Sequence, residues 1–296
     1  MPLGLPPVHP LELHAPSPLE PLDDDLLTRR GVRVLLKRDD LIHPDFPGNK
    51  WRKLAPNLAA AREQGQTALL TFGGAFSNHL RAVAAAGHYF GFQTFGVVRG
   101  EEHLPLNHML AAASEFGMRL TYLDRAAYRD KTSADTLNRF LSEFGDCYVL
   151  PEGGSNALAV QGCTDIPREI PEPFDVVCCA VGTGGTLAGI SGGLNDGQRA
   201  LGFAVLKGGE FLNDDVAALQ QAAFGRVHAN WSVETGFHCG GYAKRTPALD
   251  AFIADFEQRH GVRLNWIYEA KMLLGIFNLI EAGHFPVGTT IVAVLA

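Results

Sequence analysis

Largely continuous apolar runs, each followed by a stretch with helical spacing, constrain this chain more than any other feature. The runs fall at 32–37, 68–72, 94–98, 120–123, 148–150, 176–181, 204–206 and 290–295. The helical stretches include 50–64, 78–89, 106–116, 132–144, 186–194, 214–224, 247–258 and 270–281. A strand with no polar side must be covered on both faces, and helices alternating with strands supply that cover over a parallel sheet. The expected fold class is therefore α/β, with mainly parallel sheets under helices. Eight strands can close a barrel or form two open sheets, and no period in the sequence forces the barrel. No internal repeat is visible, nor any linker tract after the first ~20 residues.

Composition narrows the function classes. The 296 residues suit one large domain or two moderate ones. A formal charge of -7 leaves no basic stripe to neutralise phosphates, which argues against nucleic acid as a partner. No apolar run approaches the ~20 residues of a membrane span, and MPLGLPPVHPLELH lacks the regions of a secretory signal, so a cytoplasmic location is expected. The five cysteines show no CxxC spacing and the eleven histidines no HxH or HxxxH spacing; neither disulfides nor a metal site is expected. Glycine is the anomaly: 33 residues, roughly 11% where about 7% is usual. The glycines cluster in short loops after apolar runs, which points to sites lined by backbone.

In open α/β sheets, ligands bind where strands lead into helices. Three such loops stand out. In TFGGAFSNHLRAVAAAG, Ser77-Asn78 stand where a helix begins. They are good caps, and free backbone N–H groups there can also hold an anion such as a substrate carboxylate. In VVCCAVGTGGTLAGISGG, the turn Gly182-Thr183-Gly184-Gly185-Thr186 joins a buried strand to a helix. It is either a tight packing turn or a cradle of backbone amides, and it fits one compact phosphate better than a pyrophosphate. Neither a P-loop nor a full dinucleotide fingerprint is present. In PGNKWRKL, Lys50 and Lys53 lie one turn apart at the start of a helical pattern. A solvated helix start is the plain explanation; a desolvated lysine is also a nucleophile toward an aldehyde. A lysine for an imine, a monophosphate cradle and a Ser-Asn loop together describe pyridoxal 5'-phosphate.

The segments KRDDLIHPDFPGNKWRKL, FGGAFSNH, PEGGSN, VGTGGTLAG, GGYAK and YEAKM resemble, in this order, the family of 1-aminocyclopropane-1-carboxylate deaminases and D-cysteine desulfhydrases. The resemblance covers the chain from about residue 36 onward. It implies the tryptophan-synthase-β-like fold of pyridoxal-phosphate enzymes (fold type II), with two open sheets. A smaller domain over 54–150 would be inserted in a larger one made of 1–53 and 151–296. By the same resemblance Lys50 forms the imine and Lys53 lies near the phosphate held by Gly182 to Thr186. Asn78 contacts the ring hydroxyl, Ser77 stands beside the substrate, and backbone amides of Ser77, Asn78 and His79 bind its carboxylate. Tyr242 and Tyr268 match the two active-site tyrosines, and Glu269 faces the pyridine nitrogen. The implied reaction takes a small amino acid to a 2-oxo acid and ammonia, in a homodimer.

Glu269 after Tyr268 favours the deaminase side, whereas His79 is more like the desulfhydrases, which release pyruvate, sulfide and ammonia. Phe76, Trp51 and Asn265-Trp266-Ile267 depart from the family pattern and would reshape the substrate pocket. Family members continue beyond the strand TTIVAVLA into a Thr-Gly-Gly or Leu-Gly-Gly loop that lines the cofactor site; this sequence ends at Ala296. Two other classes stay open from the sequence: a dinucleotide-binding α/β protein, and a pyridoxal-phosphate-binding protein without catalysis.

Overall fold

The computed structural model describes residues 6–296. Among these, ten strands make two sheets: β1 (Leu19–Leu22), β2 (Arg33–Arg38), β3 (Ala68–Gly74), β4 (Gln93–Arg99), β5 (Arg119–Leu123), β6 (Tyr148–Leu150), β7 (Val176–Val181), β8 (Arg199–Ala204), β9 (Trp231–Glu234) and β10 (Thr290–Leu295). The larger sheet has the order β1-β2-β10-β7-β8-β9, and only the β1–β2 pair is antiparallel. The smaller, β5-β4-β3-β6, is parallel throughout. The barrel left open by the strand count is not formed.

The continuous apolar runs have a direct cause. Side chains on a strand point alternately to opposite faces. On β10, Ile291, Ala293 and Leu295 enter one core while Val292 and Val294 enter another on the far side. On β7, Val176 and Cys178 join the first, and Val177, Cys179 and Val181 the second. With helices on both faces, every position is apolar. Full burial of one such valine or isoleucine is worth about 1.5–3 kcal/mol. The smaller sheet likewise divides two cores, with Leu69 on one face of β3 and Ala68, Leu70 and Phe72 on the other.

One boundary is corrected: the strand expected at 204–206 is β8, Arg199–Ala204. Gly202 breaks its apolar run because a Cβ there would lie 2.5 Å from the Val181 side chain and 2.6 Å from Leu187. The edge strands β1 and β9 have half-buried patterns that sequence does not single out.

Helix Lys50–Glu63 begins beside the larger sheet, and a buried ionic cluster anchors its first turn. The Arg52 guanidinium donates to both carboxylate oxygens of Asp39 at 2.6 and 2.7 Å, and to both of Glu169 at 2.9 and 2.8 Å. Lys37, wholly buried on β2, donates to Glu169 at 2.9 Å and to the Ser17 carbonyl at 2.7 Å. Burial works against the charge on Glu169, but its bonds from Arg52 and Lys37 outweigh that and hold it below the usual carboxylate range.

Candidate active site

The carboxyl ends of β3, β4, β6, β7 and β10 converge on a cavity of about 420 Å³ that both sheets help to line. This is where parallel α/β sheets place ligands, since strand ends leave loops and helix N-termini facing one space. Of the sequence-predicted residues, Lys50, Lys53, Ser77, Asn78, His79, Gly182, Thr183, Gly184, Thr186, Tyr242, Tyr268 and Glu269 all line it. Gly185 stands directly behind: a Cβ on it would come 3.4 Å from Lys53 Nζ and 2.7 Å from Ser155 Oγ.

Lys50 is half-buried, its exposed part turned to the cavity, and Lys53 is 4% exposed. Burial, with the like charge of Lys53 adding to it, lowers Lys50 to about 7; burial also lowers Lys53. Neither amine has a carboxylate within 4.0 Å among the described residues. Lys50 Nζ donates to Asn49 Oδ1 at 3.2 Å, and Asn49 Nδ2 donates to Thr186 Oγ1 at 2.9 Å. One side chain thus ties the lysine to the glycine-rich turn. Gly48, just before, has φ 60, and a Cβ there would lie 1.8 Å from the Ala296 backbone, so only glycine lets this loop pack on the end of β10.

The glycine-rich turn has the form a compact anion needs. Gly184 is left-handed (φ 79) and caps helix Gly185–Gly193 with no side chain engaged, which leaves the first N–H groups of the helix free. Thr183 Oγ1 is fixed by Ser155 Oγ at 2.6 Å. Two lysines, one half-buried and one buried, without a carboxylate within 4.0 Å among the described residues and beside free amides, fit a phosphate-bearing aldehyde: one amine neutral enough to attack, the other placed against the cradle.

At the opposite side, Ser77 caps helix Asn78–Phe90, accepting from Leu80 N at 3.3 Å. His79 is 1% exposed, and neither ring nitrogen has a hydrogen-bond partner among the described residues. Burial, then the charges of Lys50 and Lys53, hold it well below the usual histidine range, so the ring is neutral.

The tyrosines meet: Tyr242 Oη and Tyr268 Oη are 3.2 Å apart, and the rings cross at 68°. Burial raises Tyr268 well above its usual value, with Tyr242 adding to it. Lys271 joins the two segments that carry them. Wholly buried on helix Glu269–Glu281, it donates to the Gly241 carbonyl at 2.7 Å. Glu269 is 7% exposed and accepts from the amides of Asn265 (2.6 Å) and Ala296 (3.0 Å). Burial nonetheless raises its carboxyl to about 8.

Asn49, Ser155, Arg99 and Phe211 escaped the sequence reading as named site residues. Ser155 stands in PEGGSN and Phe211 in the segment that leads from β8 into the next helix, which was the available signal; Arg99 carried none. Among the described residues no group of three or more His, Cys, Asp or Glu could hold a metal.

A family model described as "Pyridoxal-phosphate dependent enzyme" matches residues 11–296. The bifunctional D-cysteine desulfhydrase/1-aminocyclopropane-1-carboxylate deaminase, mitochondrial, of Arabidopsis thaliana is 30% identical, over 92% of this chain and 73% of that protein. A D-cysteine desulfhydrase of Klebsiella pneumoniae is 27% identical, over 92% of this chain and 88% of its own length. A solved structure described as an ACC deaminase homologue superposes with a TM-score of 0.84 at 27% identity, covering 98% of this chain and 91% of that one.

Proposed function

The chain belongs to the pyridoxal-phosphate-dependent enzymes, in the group of 1-aminocyclopropane-1-carboxylate deaminases and D-cysteine desulfhydrases, and from that premise we propose a reaction. It converts a small amino acid of the 1-aminocyclopropane-1-carboxylate or D-cysteine class to a 2-oxo acid and ammonia. The observation that carries this is the lysine pair: Lys50, lowered to about 7, and Lys53, neither with a carboxylate within 4.0 Å among the described residues, facing the cradle of Gly182 to Thr186.

Bound pyridoxal phosphate supplies an electron sink for the substrate's carbon. Lys50 holds its aldehyde carbon and serves as the base that moves a proton at the substrate. Lys53 and the amides of the glycine-rich turn hold the phosphate. Asn78 would hold the ring hydroxyl, and Glu269 would face the ring nitrogen, a role suited to a carboxyl near 8 that can share a proton there. The amides of Ser77, Asn78 and His79 take the substrate carboxylate, with Ser77 beside the reacting carbon. The hydrogen-bonded pair Tyr242 and Tyr268 relays a proton, since one phenol must donate to the other.

The four strands of the smaller sheet all fall within 54–150, which supports a smaller domain there, inserted in a larger one made of 1–53 and 151–296. No helix among the described residues is long and apolar enough to cross a membrane. A cytoplasmic homodimer completes the proposal, and sedimentation tests the assembly.

The test has two parts. Purified protein should show a visible absorbance band that borohydride bleaches, with the reduced adduct on the peptide carrying Lys50. A panel of D-amino acids including D-cysteine, with 1-aminocyclopropane-1-carboxylate beside it, should then release 2-oxo acid and ammonia. Silence across the panel from a protein that carries the band would leave a binder without catalysis.

A further inference from the structure

Arg99 is a charged residue of this cavity that the proposed reaction does not use. It ends β4, paired in register with Gly74 at the end of β3, just before the loop that leads to Ser77. Its side chain lies back across that loop: a Cβ on Gly74 would come 3.5 Å from Arg99 Nη2. The guanidinium carbon lies 5.8 Å from the Tyr128 ring centroid, a face contact that directs the group without neutralising it. Unlike Arg38, Arg52 and Arg81, it makes no ion pair and no hydrogen bond with any described residue. Glu152, the carboxylate that lines the cavity besides the buried Glu269, is engaged by Lys131 at 3.1 Å.

Every other cation in the cavity has work on the cofactor side. Arg99 stands on the smaller sheet, on the side of the Ser77 loop, where the α-carboxylate already has backbone amides. A permanent, planar cation placed there suits one more anionic oxygen pair, which it can hold in two parallel hydrogen bonds. We propose that Arg99 determines specificity by binding a second anionic group of the substrate. Among the small amino acids this cavity takes, those that carry a carboxylate or phosphate on the side chain then bind more tightly than neutral ones of the same shape. This assignment rests on the reading of the cavity as an amino-acid site with the α-carboxylate at residues 77–79.

The experiment is an equilibrium titration of the cofactor-loaded protein, following the cofactor absorbance rather than turnover. Matched acidic and neutral ligands are compared, in both enantiomers: aspartate against asparagine, glutamate against glutamine, and O-phosphoserine against serine. The acidic member should bind about tenfold or more tightly than its neutral partner. Arg99→Gln should abolish that ratio, and Arg99→Lys should restore part of it. The carboxylate and phosphate arms separate the two sources of charge. A wild-type ratio near one, or a ratio that survives in Arg99→Gln, overturns the assignment alone. A spectrum that no amino acid moves overturns the assignment together with the amino-acid reading beneath it.

Discussion

The first turn of helix Lys50–Glu63 sends cations to two sides, and the sides treat them oppositely. Toward the larger sheet, Arg52 meets Asp39 and Glu169 in four hydrogen bonds, and Lys37 completes a cluster of two cations and two carboxylates. Burial opposes the charge on Arg52, yet its carboxylates raise its pKa above the usual value. Toward the cavity, Lys50 and Lys53 have no carboxylate within 4.0 Å among the described residues, and burial lowers both. An internal ion whose countercharges come from the same chain holds the fold together. One without them costs stability, and is retained where an incoming group supplies what is missing.

Breaking the cavity side should have the largest effect. Lys50→Ala should remove the borohydride-sensitive absorbance and reduce turnover by about a thousandfold or more, read by single-turnover assays. On the paired side, Asp39→Ala strands part of a buried guanidinium and should cost about 3–5 kcal/mol in denaturant unfolding. Lys53→Met sharpens the contrast. It should weaken cofactor retention about tenfold, measured by dialysis, while the cofactor-free protein melts at the same temperature or higher. The smallest effect is one of pH. Attachment needs the neutral amine of Lys50, so its rate in cofactor-free protein should rise with pH through about 7 and then level off. Because the charge of Lys53 helps to lower Lys50, the midpoint should move upward in Lys53→Met.

The strands of both sheets were legible in the sequence because burial on two faces writes itself into the chain: β10 and β7 cannot afford a polar side. Their division into two sheets rather than a barrel followed from the family resemblance alone. β8 was misplaced by Gly202, where close packing against Leu187 removed the side chain that would have marked it. The edge strand Trp231–Glu234 is half-exposed and carries no run to detect. In the site, residues set by backbone geometry could be read from spacing, as Gly182 to Thr186 and Ser77-Asn78 show. Asn49 could be seen only as a neighbour of Lys50, since its bond to Thr186 spans 137 residues of sequence. Arg99 gave no signal at all. A charged residue after a strand looks the same whether it faces bulk water or a ligand.

The position of β10 has a consequence for how the molecule is made. Thr290–Leu295 lies between β2 and β7, so the larger sheet has a gap at its centre until these late residues have left the ribosome. β3 to β6 are consecutive, and their layer can close during synthesis. The nascent chain therefore carries Arg33–Arg38 with one edge open, beside a finished neighbour, until Thr290–Leu295 emerges. Chaperone dependence during translation should centre on that waiting strand.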